Sequence, residues 1–161
     1  MPAYEIPGRG TIDLDLLVLD LNGTLTVDGQ IVPGVAQRIQ TLQEQGFDCY
    51  LLTADTCGTG SHVAETLGLH IHRLSPGQEL QQKRAFVEDL GAAQVAAIGN
   101  GANDELMLAA VREAGGVAIA VDNGEGCHTG SLARSNLFIR GAAEALDLLL
   151  DPKRLIAGLR R

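Results

Sequence analysis

Tryptophan is absent from this 161-residue chain, and aromatic residues make up only 3% of it. Proteins that hold single-stranded nucleic acid stack bases on aromatic rings, so that function class is disfavoured. Positive charge is also scarce: 12 Lys and Arg face 20 Asp and Glu, a formal net charge of −8. A chain of that sign is a poor match for phosphate backbones or anionic lipid surfaces. No apolar run approaches the roughly 20 residues that a membrane-spanning helix needs. The opening stretch, Met1-Pro-Ala-Tyr-Glu-Ile-Pro, has neither the basic nor the apolar region of a secretory signal. Cysteine is sparse, and Cys49, Cys57 and Cys127 form no C-x-x-C pair. Together these absences point to a reduced, cytoplasmic protein with no nucleic-acid or membrane partner.

Glycine is what the chain has in excess: 20 of 161 residues, against a usual share of roughly 7%. The glycines follow no fixed period, which excludes collagen and solenoid repeats. They mark turns and places where backbone must come close to something. A hydrophobic content of 45% and a charged content of 20% suit one folded domain over residues 1–161.

Hydrophobic patterning predicts the order of elements. Tyr4 to Ile6 and Thr11 to Leu14 flank Pro7-Gly8-Arg9-Gly10 and read as a hairpin. Leu16 to Asp20 is a continuous apolar run ending in an acid, the pattern of a strand buried on both faces. A helix follows from Pro33 to Gly46, then a second buried strand over Asp48 to Thr53. His62 to Leu67 reads as a helix and Leu69 to Arg73 as a short strand. Ser75-Pro76-Gly77-Gln78 has the look of a capped helix start, for a helix ending at Gly91. Gln94 to Gly99, Val117 to Val121 and Leu137 to Arg140 supply further strands, with helices over Asn103 to Ala114 and Ala142 to Leu150. Alternating strands and helices at this spacing predict an α/β fold, a three-layer doubly wound parallel sheet with an N-terminal β-hairpin. In such folds the ligand lies beyond the carboxyl ends of the strands.

Those strand ends carry coherent chemistry. Asp20 can act as a carboxylate nucleophile toward phosphorus. The Thr53 hydroxyl, with backbone near Ala54 and Gly23, can hold phosphate oxygens, and Lys83 can offset charge on a transferring phosphoryl group. Mg²⁺ takes hard oxygen ligands, and Asp20 and Asp104 can supply them.

At this point the sequence resembles the haloacid dehalogenase-like (HAD) superfamily. That family's D-x-D-x-T motif is Asp20-Leu21-Asn22-Gly23-Thr24 here, its strand-ending Thr or Ser is Thr53, and its Lys is Lys83. Its acidic G-D-x-x-x-D element is Gly99-Asn100-Gly101-Ala102-Asn103-Asp104. The closest resemblance is to soluble proteins likened to the phosphorylation domain of P-type ATPases. The resemblance implies a Mg²⁺-dependent phosphohydrolase or phosphotransferase acting through an aspartyl phosphate on Asp20. It implies metal contact by Asp20, Asn22, Asn100 and Asp104.

Two departures qualify that implication. Asn22 stands where the family's phosphatases carry the Asp that moves the proton, and an amide cannot do that work. Phosphoenzyme hydrolysis is therefore expected to be slow. Asn100 replaces an acidic metal ligand, so Asp104 becomes the main metal partner beside Asp20, and binding is expected to be weak. Neither gap between motifs has room for the family's cap domain. An uncapped site suits a phosphorylated small molecule or a phosphoprotein, and a homo-oligomer in which a neighbour encloses the site. The alternative is a degenerate phosphate- or Mg²⁺-binding module that regulates another protein. A response-regulator receiver is rejected, because the third strand ends in Arg73-Leu74-Ser75 with no Asp.

Overall fold

A computed structural model describes residues 2–55 and 58–161. Cys57 lies outside the described residues.

The chain begins with an antiparallel hairpin, β1 (Ala3–Ile6) and β2 (Gly10–Asp13). β3 (Leu16–Asp20) follows, then a small flap, β4 (Thr26–Val27) and β5 (Gln30–Ile31). From there strands and helices alternate. α1 (Val35–Glu44) leads to β6 (Asp48–Thr53), and α2 (Thr59–Leu67) to β7 (His70–Arg73). α3 (Glu79–Leu90) leads to β8 (Val95–Gly99), and α4 (Glu105–Ala114) to β9 (Val117–Asp122). A short α5 (Thr129–Arg134) precedes β10 (Leu137–Arg140), and α6 (Ala142–Leu150) and α7 (Pro152–Leu159) close the fold.

β3, β6, β7, β8, β9 and β10 form one parallel sheet in the order β10-β9-β8-β3-β6-β7. Period-two geometry sends alternate strand residues to opposite faces. Leu17 and Leu19 enter the apolar cluster shared with α1, α2, α6 and α7, while Val18 enters the cluster shared with α3 and α4. Both faces are therefore covered, which is why these strands read as unbroken apolar runs. The N-terminal hairpin packs on the first cluster through Tyr4, Ile6 and Ile12. The Tyr4 hydroxyl donates to the Leu149 carbonyl at 3.2 Å, satisfying a polar tip that is otherwise buried.

From the central β3 the chain winds outward to β6 and β7, then crosses back to β8 and outward through β9 to β10. The switch point thus falls between β3 and β8, whose carboxyl ends are Asp20 and Gly99. No inserted cap domain stands between the motifs among the described residues; the flap β4–β5 is all that follows the first one.

Two boundaries and one whole helix depart most from the sequence expectation. α2 begins at Thr59, three residues before His62. α3 begins at Glu79, because Gln82 reaches back to the Ser75 N–H and carbonyl and to the Gly77 carbonyl at 2.8–2.9 Å. Ser75 is therefore part of a tethered loop and not a helix cap. α5 has no counterpart in the sequence reading.

Candidate active site

Asp20 is the last residue of β3, buried under the loop that follows. Lys83 reaches it from α3 across the sheet face. The Lys83 side chain is almost completely buried, and its Nζ donates to Asp20 Oδ1 at 2.8 Å and to Asp104 Oδ1 at 2.7 Å. A lysine is buried only when its charge is met, and two carboxylates meet it here. Burial alone would lower the Lys83 ammonium, but the two carboxylates outweigh it and hold it firmly protonated. Asp20 shows the opposite balance. Burial first, and repulsion from Asp104 second, push its carboxyl up to about 7 despite the neighbouring ammonium.

The sequence reading makes Asp104 the main metal partner beside Asp20; the structure places it differently. Asp104 is fully buried, and its Oδ2 accepts the N–H groups of Asn100 and Gly101 at 3.1 Å each. With Oδ1 on Lys83, both oxygens are committed. Asp104 does not line the cavity in front of Asp20. It orients Lys83 and folds the loop after β8. Gly99 permits this, because a Cβ there would run into the Asp104 carboxyl.

Gly23 is also placed differently. Its N–H is taken by the Thr26 carbonyl at 2.7 Å, and the residue does not line the cavity. Its φ of 79° turns the loop, and the space a side chain would fill is held by the Asn100 amide.

The remaining expected residues do converge. Asp20, Asn22, Thr53, Ala54, Lys83 and Asn100 line one cavity of about 370 Å³ at the carboxyl ends of β3, β6 and β8. The Thr53 Oγ1 accepts the Asp55 N–H at 3.0 Å, which fixes the rotamer of a buried hydroxyl beside Asp20. A larger cleft of about 640 Å³ opens between the flap and the start of α6, lined by Val27, Arg140 and Glu144 among others. Size does not decide between them: the smaller cavity holds the Asp20 carboxylate, the Lys83 ammonium and the Thr53 hydroxyl.

One residue that lines the cavity, Glu79, and one that braces its loop, Asn123, carry no role in the sequence reading. Asn123, in the loop after β9, donates through Nδ2 to the Gly23 and Thr24 carbonyls at 2.8 Å and accepts the Ala142 N–H at 2.7 Å. It ties the loop after β3 to the start of α6. The Asp122-Asn123-Gly124 turn signal was its only trace in the sequence. Glu79 lines the cavity from the first turn of α3, one turn before Lys83.

The donor atoms at the cavity test the fit for a divalent cation. Asp20, Asn22 and Asn100 offer oxygen only, which suits a hard ion such as Mg²⁺. They carry a single carboxylate, and among the described residues no group of three or more His, Cys, Asp or Glu side chains is arranged to hold a metal. The residues fit a cation held loosely, one that substrate phosphate completes.

Comparison with solved structures identifies the fold. A protein from Legionella pneumophila assigned to the HAD superfamily, subfamily III A, superposes with a TM-score of 0.70 at 19% identity, covering 89% of this chain and 87% of its own. The 3-deoxy-D-manno-octulosonate 8-phosphate phosphatase of Moraxella catarrhalis, solved with magnesium and phosphate ions, superposes with a TM-score of 0.67 at 25% identity. That match covers 91% of this chain and 94% of the neighbour. The chain has the fold of these HAD-superfamily structures. Its core is the uncapped form, a parallel sheet between helical layers with a small flap after the first motif.

Curated relatives match part of the chain. The chain is 28% identical over 108 residues to a chloroplastic copper-transporting ATPase of Arabidopsis thaliana, a match over 66% of this chain. It spans about a tenth of the length of the copper ATPases it matches, at 11%, 12% and 10% of each. It is 32% identical over 93 residues to an uncharacterized protein of Methanocaldococcus jannaschii, covering 96% of that protein and 55% of this chain. No protein-family model matches this chain.

Proposed function

We propose that this protein is a slow Mg²⁺-dependent phosphohydrolase or phosphotransferase that works through an aspartyl phosphate on Asp20. The observation that carries the reading is the convergence of Asp20, Thr53 and Lys83 on one cavity. Lys83 holds Oδ1 of Asp20, which leaves Oδ2 to attack phosphorus. As that O–P bond forms, the bond to the leaving oxygen breaks, and the leaving oxygen takes a proton. Water then adds to phosphorus, the Asp20 O–P bond breaks, and phosphate departs with Asp20 restored. Lys83 offsets charge on the phosphoryl oxygens and the Thr53 hydroxyl donates to one of them. Asp104 keeps Lys83 in place. Asp20, Asn22 and Asn100 would hold magnesium, which would supply further neutralisation of the same charge.

The Moraxella and Haemophilus influenzae neighbours are by name phosphatases of an octulosonate 8-phosphate. They support a phosphorylated small molecule as substrate, and the uncapped cavity also admits a phosphoprotein. Among the described residues no helix is long and apolar enough to cross a membrane. We place the protein in the cytoplasm as a single domain, in a homo-oligomer that covers the cavity mouth. A second reading, a regulatory module that binds phosphate without turnover, draws on Asn22 and Asn100 alone.

Turnover of an aryl phosphate with Mg²⁺ separates the two. Asp20→Asn abolishes activity on the enzymatic reading, and Asn22→Asp raises it by up to about 10²-fold, the low end of general acid–base help. No loss in the first variant and no gain in the second would overturn it.

A further inference from the structure

We propose that Glu79 carries the proton that Asn22 cannot, acting as general acid and then general base at the Asp20 cavity. This rests on the aspartyl-phosphate reading above. The inference starts from a deficit: transfer to and from Asp20 needs one proton delivered and one removed, and the amide at position 22 does neither. A carboxylate elsewhere in the same cavity can replace it only if it is not already engaged.

Three carboxylates line the cavity: Asp20, Asp55 and Glu79. Asp20 is the nucleophile. Asp55 Oδ2 accepts the Gly60 N–H at 3.0 Å and anchors the start of α2. Asp104 is behind the wall, with both oxygens bonded. Glu79 is half-buried and makes no hydrogen bond or ion pair among the described residues. Its place is set by Lys83. The two residues are four apart on α3, so they share a face, with one helical turn of about 5.4 Å between them. Lys83 reaches Asp20, and Glu79, one turn nearer the amino end of α3, lines the same cavity.

In the first step Oδ2 of Asp20 bonds to phosphorus and the ester O–P bond breaks. The leaving oxygen takes the proton of the Glu79 carboxylic acid, giving an alcohol and a Glu79 carboxylate. In the second step that carboxylate takes a proton from water as the water oxygen bonds to phosphorus and the Asp20 O–P bond breaks. The products are inorganic phosphate, free Asp20 and protonated Glu79, ready for the next cycle.

The experiment is rapid-quench measurement of the Asp20 phosphoenzyme with Mg²⁺, using 4-nitrophenyl phosphate and an alkyl phosphate as donors. Glu79→Gln is expected to leave phosphoenzyme formation from the nitrophenyl ester unchanged, because that leaving group needs no proton. It is expected to slow formation from the alkyl ester and to slow phosphoenzyme hydrolysis, each by ~10²-fold. Glu79→Asp should retain part of the hydrolysis rate. In an Asn22→Asp background, Glu79→Gln should change hydrolysis by less than about threefold, since the restored aspartate takes the proton. Folding of each variant is checked by its thermal unfolding. A phosphoenzyme whose lifetime is unchanged by Glu79→Gln overturns the role of Glu79 alone. Failure to form any phosphoenzyme on Asp20 overturns the reading beneath it, and this inference with it.

Discussion

At the residue scale the site is a buried triad in which two carboxylates share one ammonium. With all three ionised it carries a net charge of −1, and Asp20 bears the strain of that surplus. Its carboxyl, ordinarily near 3.8, is pushed up to about 7, chiefly by burial and then by Asp104. The folded chain therefore holds a proton there that the unfolded chain has released. Stability from this group is greatest below the ordinary carboxylate value and is lost as pH rises through about 7. Asp20→Asn removes the surplus charge while Lys83 keeps Asp104. We expect this variant to be more stable than wild type at pH 8, by about 1–3 kcal/mol, or roughly 2–10 °C in Tm. The advantage should vanish near pH 4. Thermal unfolding at the two pH values checks it, and a destabilised Asp20→Asn at pH 8 contradicts it. Asp20, Thr53 and Lys83 were legible in the sequence because each ends a strand or faces it from a helix in the family's order. The position of Asp104 was not, because the motif gives its spacing but not which way its oxygens turn.

At the element scale, legibility followed apolar content. The strands of the parallel sheet were readable because both faces are buried, so Leu16-Leu17-Val18-Leu19 admits little else. The six-residue α5, Thr-Gly-Ser-Leu-Ala-Arg, shows too little periodicity to announce a helix. The start of α3 was misread because a local capping pattern lost to a side chain seven residues away, Gln82 on Ser75. Contacts of that range leave no periodic trace. The same holds for Asn123, which reaches about a hundred residues back to Gly23 and Thr24. Asn123→Ala removes three hydrogen bonds from a half-buried junction, and the stranded carbonyls and the Ala142 N–H are met only in part by water. The expected cost is about 1–3 kcal/mol, read as a lower urea midpoint with an unchanged slope. An unaltered midpoint contradicts the view that this side chain pins the loop carrying Asn22.

At the scale of the whole molecule, the winding order accounts for where the chemistry sits. Starting in the middle at β3 and leaving on both sides puts Asp20 beside the crossing to β8. The sequence alone supported that topology, since alternating elements and right-handed crossovers leave few arrangements. The scarcity of positive charge also finds its place. Among the described residues the one deeply buried cation, Lys83, is spent on Asp20 and Asp104. On the proposed reading, a phosphate entering the cavity would be met by that shared ammonium and by metal held through few charged ligands, for an occasional transfer to Asp20 and a slow release. The most direct test is intact-protein and peptide mass spectrometry after incubation with Mg²⁺ and acetyl phosphate or an aryl phosphate, quenched in acid. The account predicts a single added phosphoryl group on the peptide containing Asp20, abolished by Asp20→Asn. An unmodified Asp20 across acyl, aryl and sugar phosphates and ATP would contradict it.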